Sequence, residues 1–275
     1  MRTILAVGAV TLLCAGCGGA SARSGGVVAA FYPLAWAAEG VGVHAKNLTP
    51  PGAEPHDIEL TPGEVAEIQR ADVVLYLSHG FQPAVEKALQ DASGKKIDAL
   101  AGVRLRTGSG DEAGATDPHV WLDPVLFARV VRRIGSALGH EQRGDALARR
   151  VLELDREYRR GLANCRRRDF VTSHAAFGYL AERYGLHQIA ITGVDPESEP
   201  SAQALSRLAA LIKREHIRTV FFERLVSPRL AQTLARETGG RTAVLDPIEG
   251  APRGETYLTL MRENLAALRK ALECR

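Results

Sequence analysis

The chain has 275 residues, with 35 basic and 32 acidic side chains and a formal charge of +3. Hydrophobic residues make up 45% and charged residues 24%, an ordinary globular composition that excludes a disordered chain. The net charge is too small and too scattered to point to nucleic acid as a partner. The length admits two domains or one large one.

The chain opens with Arg2, an apolar run from Ile4 to Cys14, and the small residues Ala15 and Gly16. A charged start, an apolar run and a small-residue cleavage site read as a secretory signal over residues 1–16. The run is too short to cross about 30 Å of hydrocarbon, and no later segment offers about 18 uninterrupted apolar residues. Cys17, directly after Leu13-Cys14-Ala15-Gly16, resembles the lipid-modified cysteine of a bacterial lipoprotein signal, although Cys14 stands where Leu is usual. That reading predicts an extracytoplasmic protein anchored by lipid to the cell membrane. Cleavage near Ala20-Ser21-Ala22 would instead give a secreted or periplasmic protein without an anchor. Residues 17–26, rich in Gly, Ser and Ala, read as a flexible tether.

After the tether, short apolar runs alternate with amphipathic stretches. The strand-like runs are Val27–Phe31, Val73–Leu77, Phe170–Thr172, Gln188–Thr192, Thr219–Phe222 and Thr242–Leu245. Helical spacing joins Leu205, Leu208, Ala209 and Ile212, and later Leu258, Met261, Leu265, Leu268 and Leu272. Such alternation predicts α/β units with largely parallel sheets. The stretch from Glu141 to Ala163 breaks the rhythm. Leu147, Val151, Leu154 and Tyr158 recur there at helical spacing, flanked by arginines that read as a solvated face. It predicts one long helix, residues 141–164, between an N-terminal lobe (27–140) and a C-terminal lobe (165–275). The segment from Gly102 to Asp117 reads as a loop.

With Cys14 discarded in the signal and Cys17 at the mature terminus, Cys165 and Cys274 remain. Outside the cytoplasm disulfides persist, so a bridge between them is expected, closing a loop of more than a hundred residues. The alternative is two free thiols.

Three of the eight histidines stand out by their surroundings. His56 lies in a proline-stiffened segment, Pro50 to Asp57; His119 lies in Asp-Pro-His-Val-Trp-Leu-Asp-Pro; His174 ends the strand-like Phe-Val-Thr-Ser-His. His174 and Asp246 each follow a strand, where ligands bind in open α/β sheets. The four positions are tens of residues apart, so they can meet only in a cleft between lobes. Three neutral imidazoles and a carboxylate suit a borderline divalent cation, with zinc the natural choice at four-coordination. Calcium and magnesium prefer oxygen donors, whereas copper and nickel bind such donors at least as tightly, so residue type leaves those two open.

Pro55-His56-Asp57, Asp117-Pro118-His119-Val120-Trp121-Leu122-Asp123-Pro124, Ser173-His174-Ala175-Ala176-Phe177-Gly178-Tyr179 and Leu245-Asp246-Pro247 occur in this order. With Phe31-Tyr32-Pro33-Leu34, Pro196–Pro200 and Val220-Phe221-Phe222-Glu223, they resemble the zinc and manganese solute-binding lipoproteins of bacterial ATP-driven metal importers. The resemblance covers nearly all of the mature chain. It implies two α/β lobes joined by one long rigid helix, with the metal site in the interlobe cleft. It places His56, His119, His174 and Asp246 at the ligand positions, and His174 stands where manganese members carry a carboxylate. Glu54 is an acidic neighbour able to assist or replace a ligand, and Glu223 matches a position that hydrogen-bonds a ligand. His79 is an accessory-ligand candidate whose plainer reading is a solvent-exposed loop residue. Many zinc members carry a His-rich loop before the second ligand; residues 80–118 contain no histidine, and Asp111, Glu112 and Asp117 make only a weakly acidic loop, so no second metal-collecting site is expected.

The resemblance thus implies a monomeric, non-enzymatic protein that captures Zn2+ and delivers it to an ABC-type membrane permease. Manganese or iron is the alternative cargo within the family. A zinc-dependent hydrolase using His56, His119 and His174, with Asp246 as base, is the alternative from another class. It lacks a His-Glu-x-x-His helix and a recognisable nucleophile elbow.

Overall fold

Val27–Ala29 (β1) enters the first helix, Tyr32–Gly40 (α1), in a computed structural model that describes residues 25–107, 114–250 and 254–275. The signal, Cys14, Cys17, most of the tether, Asp111 and Glu112 lie outside the described residues. The chain continues through Ala45–Asn47 (β2), Pro62–Arg70 (α2), Val73–Tyr76 (β3), Pro83–Ala88 (α3) and Lys95–Asp98 (β4). These strands form a parallel sheet in the order β2-β1-β3-β4, with Val28 opposite both Lys46 and Val74. Parallel neighbours require crossovers, which the helices supply. Helix α2 starts where Thr61 and Glu64 cap each other reciprocally, with Pro62 in the first turn.

Two outer strands, β2 (Ala-Lys-Asn) and β4 (Lys-Lys-Ile-Asp), carry no apolar run and escape a reading by hydrophobic pattern. Lysine on an edge strand blunts further pairing, which is the reason that pattern is missing. The segment expected as a loop contains a short antiparallel ribbon, Arg106–Thr107 (β5) with Thr116–Asp117 (β6).

Pro124–Ala137 (α4) turns through Gly139, at φ 75°, into Glu141–Leu162 (α5), a helix of 22 residues that folds back along α4. The buried face of α5 carries Leu147, Ala148, Val151, Leu154, Tyr158 and Leu162, while Arg149, Arg150, Arg156, Arg159 and Arg160 face solvent. The two helices touch at glycines: a Cβ on Gly135 would lie 2.7 Å from the Gly144 Cα. Backbone cannot yield as a flexible side chain can, so Gly135→Ala is expected to cost about 1–3 kcal/mol. A thermal melt lowered by several degrees checks this, and an unchanged melt contradicts it.

The second half runs Asp169–Thr172 (β7), Gly178–Tyr184 (α6), His187–Ala190 (β8), Ala202–Arg214 (α7), Thr219–Phe222 (β9), Arg229–Thr238 (α8), Arg241–Val244 (β10) and Tyr257–Ala271 (α9). Its parallel sheet has the order β10-β9-β7-β8. Helix α9 turns its apolar stripe inward: Leu258, Met261, Leu268 and Leu272 are buried.

The two lobes share one core. A single cluster runs from Phe31 and Trp121 through Phe127 and Tyr158 to Phe177, Tyr257 and Met261. A smaller one, with Val171, Ile212, Val220 and Leu234, lies between the second sheet and helices α7 and α8. Buried hydrogen bonds stitch the seam. Tyr158 Oη donates to the Met261 carbonyl, Tyr257 Oη to that of Trp121, and Trp121 Nε1 to that of Pro247, each at 2.6 Å. Cys165 and Cys274 are disulfide-bonded across 109 residues of chain, tying the end of α5 to the segment after α9.

Candidate metal centre

His174 follows β7, the central strand next to β9, so its position at the carboxyl end of the second sheet is set by the topology. Its carbonyl accepts hydrogen bonds from Thr172 Oγ1 (2.7 Å) and Gln188 Nε2 (2.9 Å), which fixes the backbone there. Glu223, just after β9, accepts from the His174 backbone N–H at 3.2 Å and lies 2.7 Å from its Nδ1. With Nδ1 held from behind, Nε2 points forward. Asp117 does the same for His119: one carboxylate oxygen meets the His119 backbone N–H at 3.0 Å and its Nδ1 at 2.9 Å. His56 sits on the loop between β2 and α2, where its backbone N–H donates to Glu54 Oε1 (3.2 Å) and its ring meets Phe81 edge-on.

The three imidazoles converge with a carboxylate. His56, His119, His174 and Glu249 each offer one donor atom, all within 4.8 Å of one another. Nε2 of His119 lies 3.2 Å from Nε2 of His174 and 3.1 Å from Glu249 Oε1; that same oxygen is 3.5 Å from His56 Nε2 and 3.7 Å from His174 Nε2. Zinc–nitrogen and zinc–oxygen bonds of about 2.0–2.1 Å in a tetrahedron require donor separations of about 3.3–3.4 Å. The four measured separations bracket that value. Calcium's longer bonds and six to eight oxygen donors do not fit here.

The surroundings are closed. His119, His174 and Glu249 are fully buried, and the His56 side chain is 11% exposed. Glu249 Oε2 and His56 Nε2 are buried without a hydrogen-bond partner among the described residues. Buried polar atoms left unpaired are costly and rare, and a cation among these donors satisfies them. A cavity of about 690 Å³ lies to one side, lined in part by Arg106, Asp117, Ala175 and Glu182, and includes none of the four donors.

Electrostatics divide the group. Burial works against charge on His119 and His174, yet the carboxylates of Asp117, Glu223 and Glu249 outweigh it and raise both, His174 strongly. His56 is lowered, chiefly by burial. Burial would raise Glu249, but the hydrogen bond from His119 and the close His174 and His56 imidazoles hold it well below the usual carboxylate range. Glu54 is pushed up to about 8, first by burial and then by the nearby Glu249 charge.

The structure therefore brings together three of the four residues expected as ligands, and the carboxylate that clusters with them is Glu249. Asp246 is not in the cluster. Its Oδ1 accepts the Ile248 backbone N–H at 2.7 Å and its Oδ2 lies 3.1 Å from Arg224 Nε, so the carboxylate faces away to a cation and a turn. Glu249, three residues on, takes the corner. Sequence reasoning missed it, though an acidic residue within the same Leu-Asp-Pro-Ile-Glu segment was a signal available there. The sequence places Asp117 in a weakly acidic loop and at the head of the His119 motif without a role; its place two residues before His119, across a proline, is the clue to its hydrogen bonds. Glu54 lies beside the cluster without joining it, and His79 is an exposed loop residue at φ 68°, outside it.

Two parallel-sheet lobes with a buried imidazole–carboxylate cluster at their seam define a two-lobed solute-binding protein with a metal-type site. The chain belongs to the family of the periplasmic zinc-uptake complex component A, whose model matches residues 27–271. It is 33% identical to the high-affinity zinc uptake system protein ZnuA of Bacillus subtilis, over 98% of this chain and 97% of that protein. It is 34% identical to the zinc-binding lipoprotein AdcA of Streptococcus pneumoniae, over 90% of this chain but 56% of that longer protein. Among solved structures, the laminin-binding protein Lmb of Streptococcus agalactiae, described as having adhesin and metal-transporting activity, superposes with a TM-score of 0.82 at 31% identity, covering 90% and 98% of the two chains. Zn(II)-bound AdcA of Streptococcus pneumoniae gives 0.76 at 35% identity, covering 90% of this chain and 57% of that one.

Proposed function

We propose that this protein is the extracytoplasmic zinc-binding component of an ATP-driven importer, holding Zn2+ on His56, His119, His174 and Glu249. The observation that carries the reading is the convergence of three imidazole nitrogens and one carboxylate oxygen within 4.8 Å of one another in a closed site, with four of the separations close to those of a zinc tetrahedron. Three nitrogen donors favour zinc over manganese, whose preference runs to oxygen. Four protein ligands leave no open position for an activated water, which favours carriage over hydrolysis.

In this reading the protein works as a monomer and passes its ion to a membrane permease. Cys17 carries the lipid that keeps it at the membrane surface. No helix among the described residues is long and apolar enough to cross a membrane, which is compatible with such an anchor. Residues 27–140 and 165–275 act as the two lobes, and their shared core limits how far they separate. Release then falls to a ligand loop. His119 and His174 are locked from behind by buried carboxylates, whereas His56 rides on a segment without regular structure and is the ligand nearest solvent. The metal leaves on that side.

The test is a competition titration with elemental analysis of the purified chain. One zinc per chain is expected, with zinc preferred over manganese by orders of magnitude; no bound zinc at micromolar free metal would sink the reading. Affinity should depend on pH, because a proton must leave each imidazole before the metal binds. Since carboxylates raise His119 and His174, protons compete for them at higher pH than for a free imidazole, whose ordinary value is about 6.5. Zinc affinity is therefore expected to decline as pH falls from above neutrality, and a flat profile down to pH 6 would contradict the assignment.

A further inference from the structure

Ile248 is buried and sits at φ 60°, in the left-handed region that a β-branched residue seldom adopts. It directly precedes Glu249. Such backbone persists only where its surroundings over-determine it. Here four side chains do so. Asp246 Oδ1 accepts the Ile248 N–H at 2.7 Å. Asn264 on α9 clasps the Asp246 backbone twice, accepting its N–H at 2.8 Å and donating to its carbonyl at 2.6 Å. Trp121 Nε1 holds the Pro247 carbonyl between them. Arg224 Nε lies 3.1 Å from Asp246 Oδ2, while its other nitrogens reach Glu255 and Glu263, each at 3.1 Å.

We propose that Asp246 is a positioning residue for the metal site: it locks the left-handed turn at Ile248 and so aims the Glu249 carboxylate at the three imidazoles. Arg224 holds Asp246 in the orientation that makes this bond. Because Arg224 directly follows Glu223, which orients His174, the strand end after β9 steadies a donor on each side of the cluster. Without the bond, the turn at Ile248 relaxes toward ordinary backbone and Glu249 loses its aim. The role follows from atom type. The turn needs an acceptor at Oδ1, which an amide supplies as well as a carboxylate, whereas a metal ligand at that position would need the charge.

The inference rests on the proposed zinc site, and the experiment separates the two. Zinc affinity by competition and the visible absorption of the Co2+-loaded chain, which reports coordination geometry, are measured for Asp246→Ala, Asp246→Asn and Glu249→Gln. Asp246→Ala is expected to weaken zinc about 10–100-fold, the usual cost of losing a group that orients a ligand, and to alter the Co2+ spectrum. Asp246→Asn is expected to stay within about threefold of the parent and to restore the spectrum, because it keeps the acceptor for Ile248. Parent affinity in Asp246→Ala, or an Asp246→Asn loss as large as that of Glu249→Gln, overturns the positioning role. If Asp246→Ala does not fold, the Asn variant alone decides by the same comparison. Parent affinity in Glu249→Gln would instead overturn the proposed ligand set.

Discussion

Zinc affinity in His56→Ala, His119→Ala and His174→Ala is expected to fall by at least about 100-fold in each. A zinc site of four protein ligands is worth about 10–16 kcal/mol at neutral pH, so one ligand carries about 3 kcal/mol, which is about 100-fold in affinity. The three variants should differ in stability. His119→Ala strips Asp117 of its ring partner and His174→Ala strips Glu223, and each leaves a buried carboxylate without its imidazole. Removing one partner of a buried pair costs about 3–5 kcal/mol. His56 has no carboxylate behind its ring among the described contacts, and its variant should lose zinc while melting close to the parent temperature. Calorimetric titration and thermal melts of all three separate the effects. Near-parent affinity in the three together would refute the site.

Removing the Cys165–Cys274 bridge is expected to destabilise the fold by about 2–5 kcal/mol, since it closes 109 residues of chain. For a chain of this size that lowers the melting temperature by about 10 °C. The bridge lies at the far ends of α5 and α9, and none of its neighbours is a zinc donor. The Cys165→Ser/Cys274→Ser protein should therefore bind zinc near parent affinity at 25 °C while melting earlier. A melt unchanged by the double substitution, or by reductant, would show that the bridge contributes nothing. Loss of zinc affinity in a folded double variant would tie the bridge to the site, against expectation.

Much of the fold is legible in the chain because its local signals agree. The strand-like runs at Val73, Phe170 and Thr219 become β3, β7 and β9, and the 3–4 spacing from Leu258 to Leu272 becomes α9. The arginines beside Leu147, Val151 and Leu154 face water along α5, as a charged flank should. What escaped were elements defined by pairing rather than by burial. The strands β2 and β4 and the ribbon of β5 with β6 exist because a neighbouring strand offers hydrogen-bonding partners, and apart from Ala45 and Ile97 their own residues are polar.

For the site the division is sharper. The residue types and their setting select His56, His119 and His174, since imidazoles beside prolines or at a strand end in ordered motifs are recognisable without coordinates. The choice between Asp246 and Glu249 is not local. Both are carboxylates on one loop, and which of them faces the imidazoles depends on a left-handed turn at Ile248, a conformation that the residue itself disfavours. Arg224 from the end of β9, Asn264 from α9 and Trp121 from the other lobe hold that turn in place. Sequence by itself pointed to the class of fold, the three histidines that cluster and the cysteine pair, through residue type, local setting and the resemblance those motifs carry. Tertiary structure alone decided which carboxylate joins the imidazole cluster and which groups stand behind the imidazoles, because a side chain's direction is fixed by partners more than a hundred residues away in places.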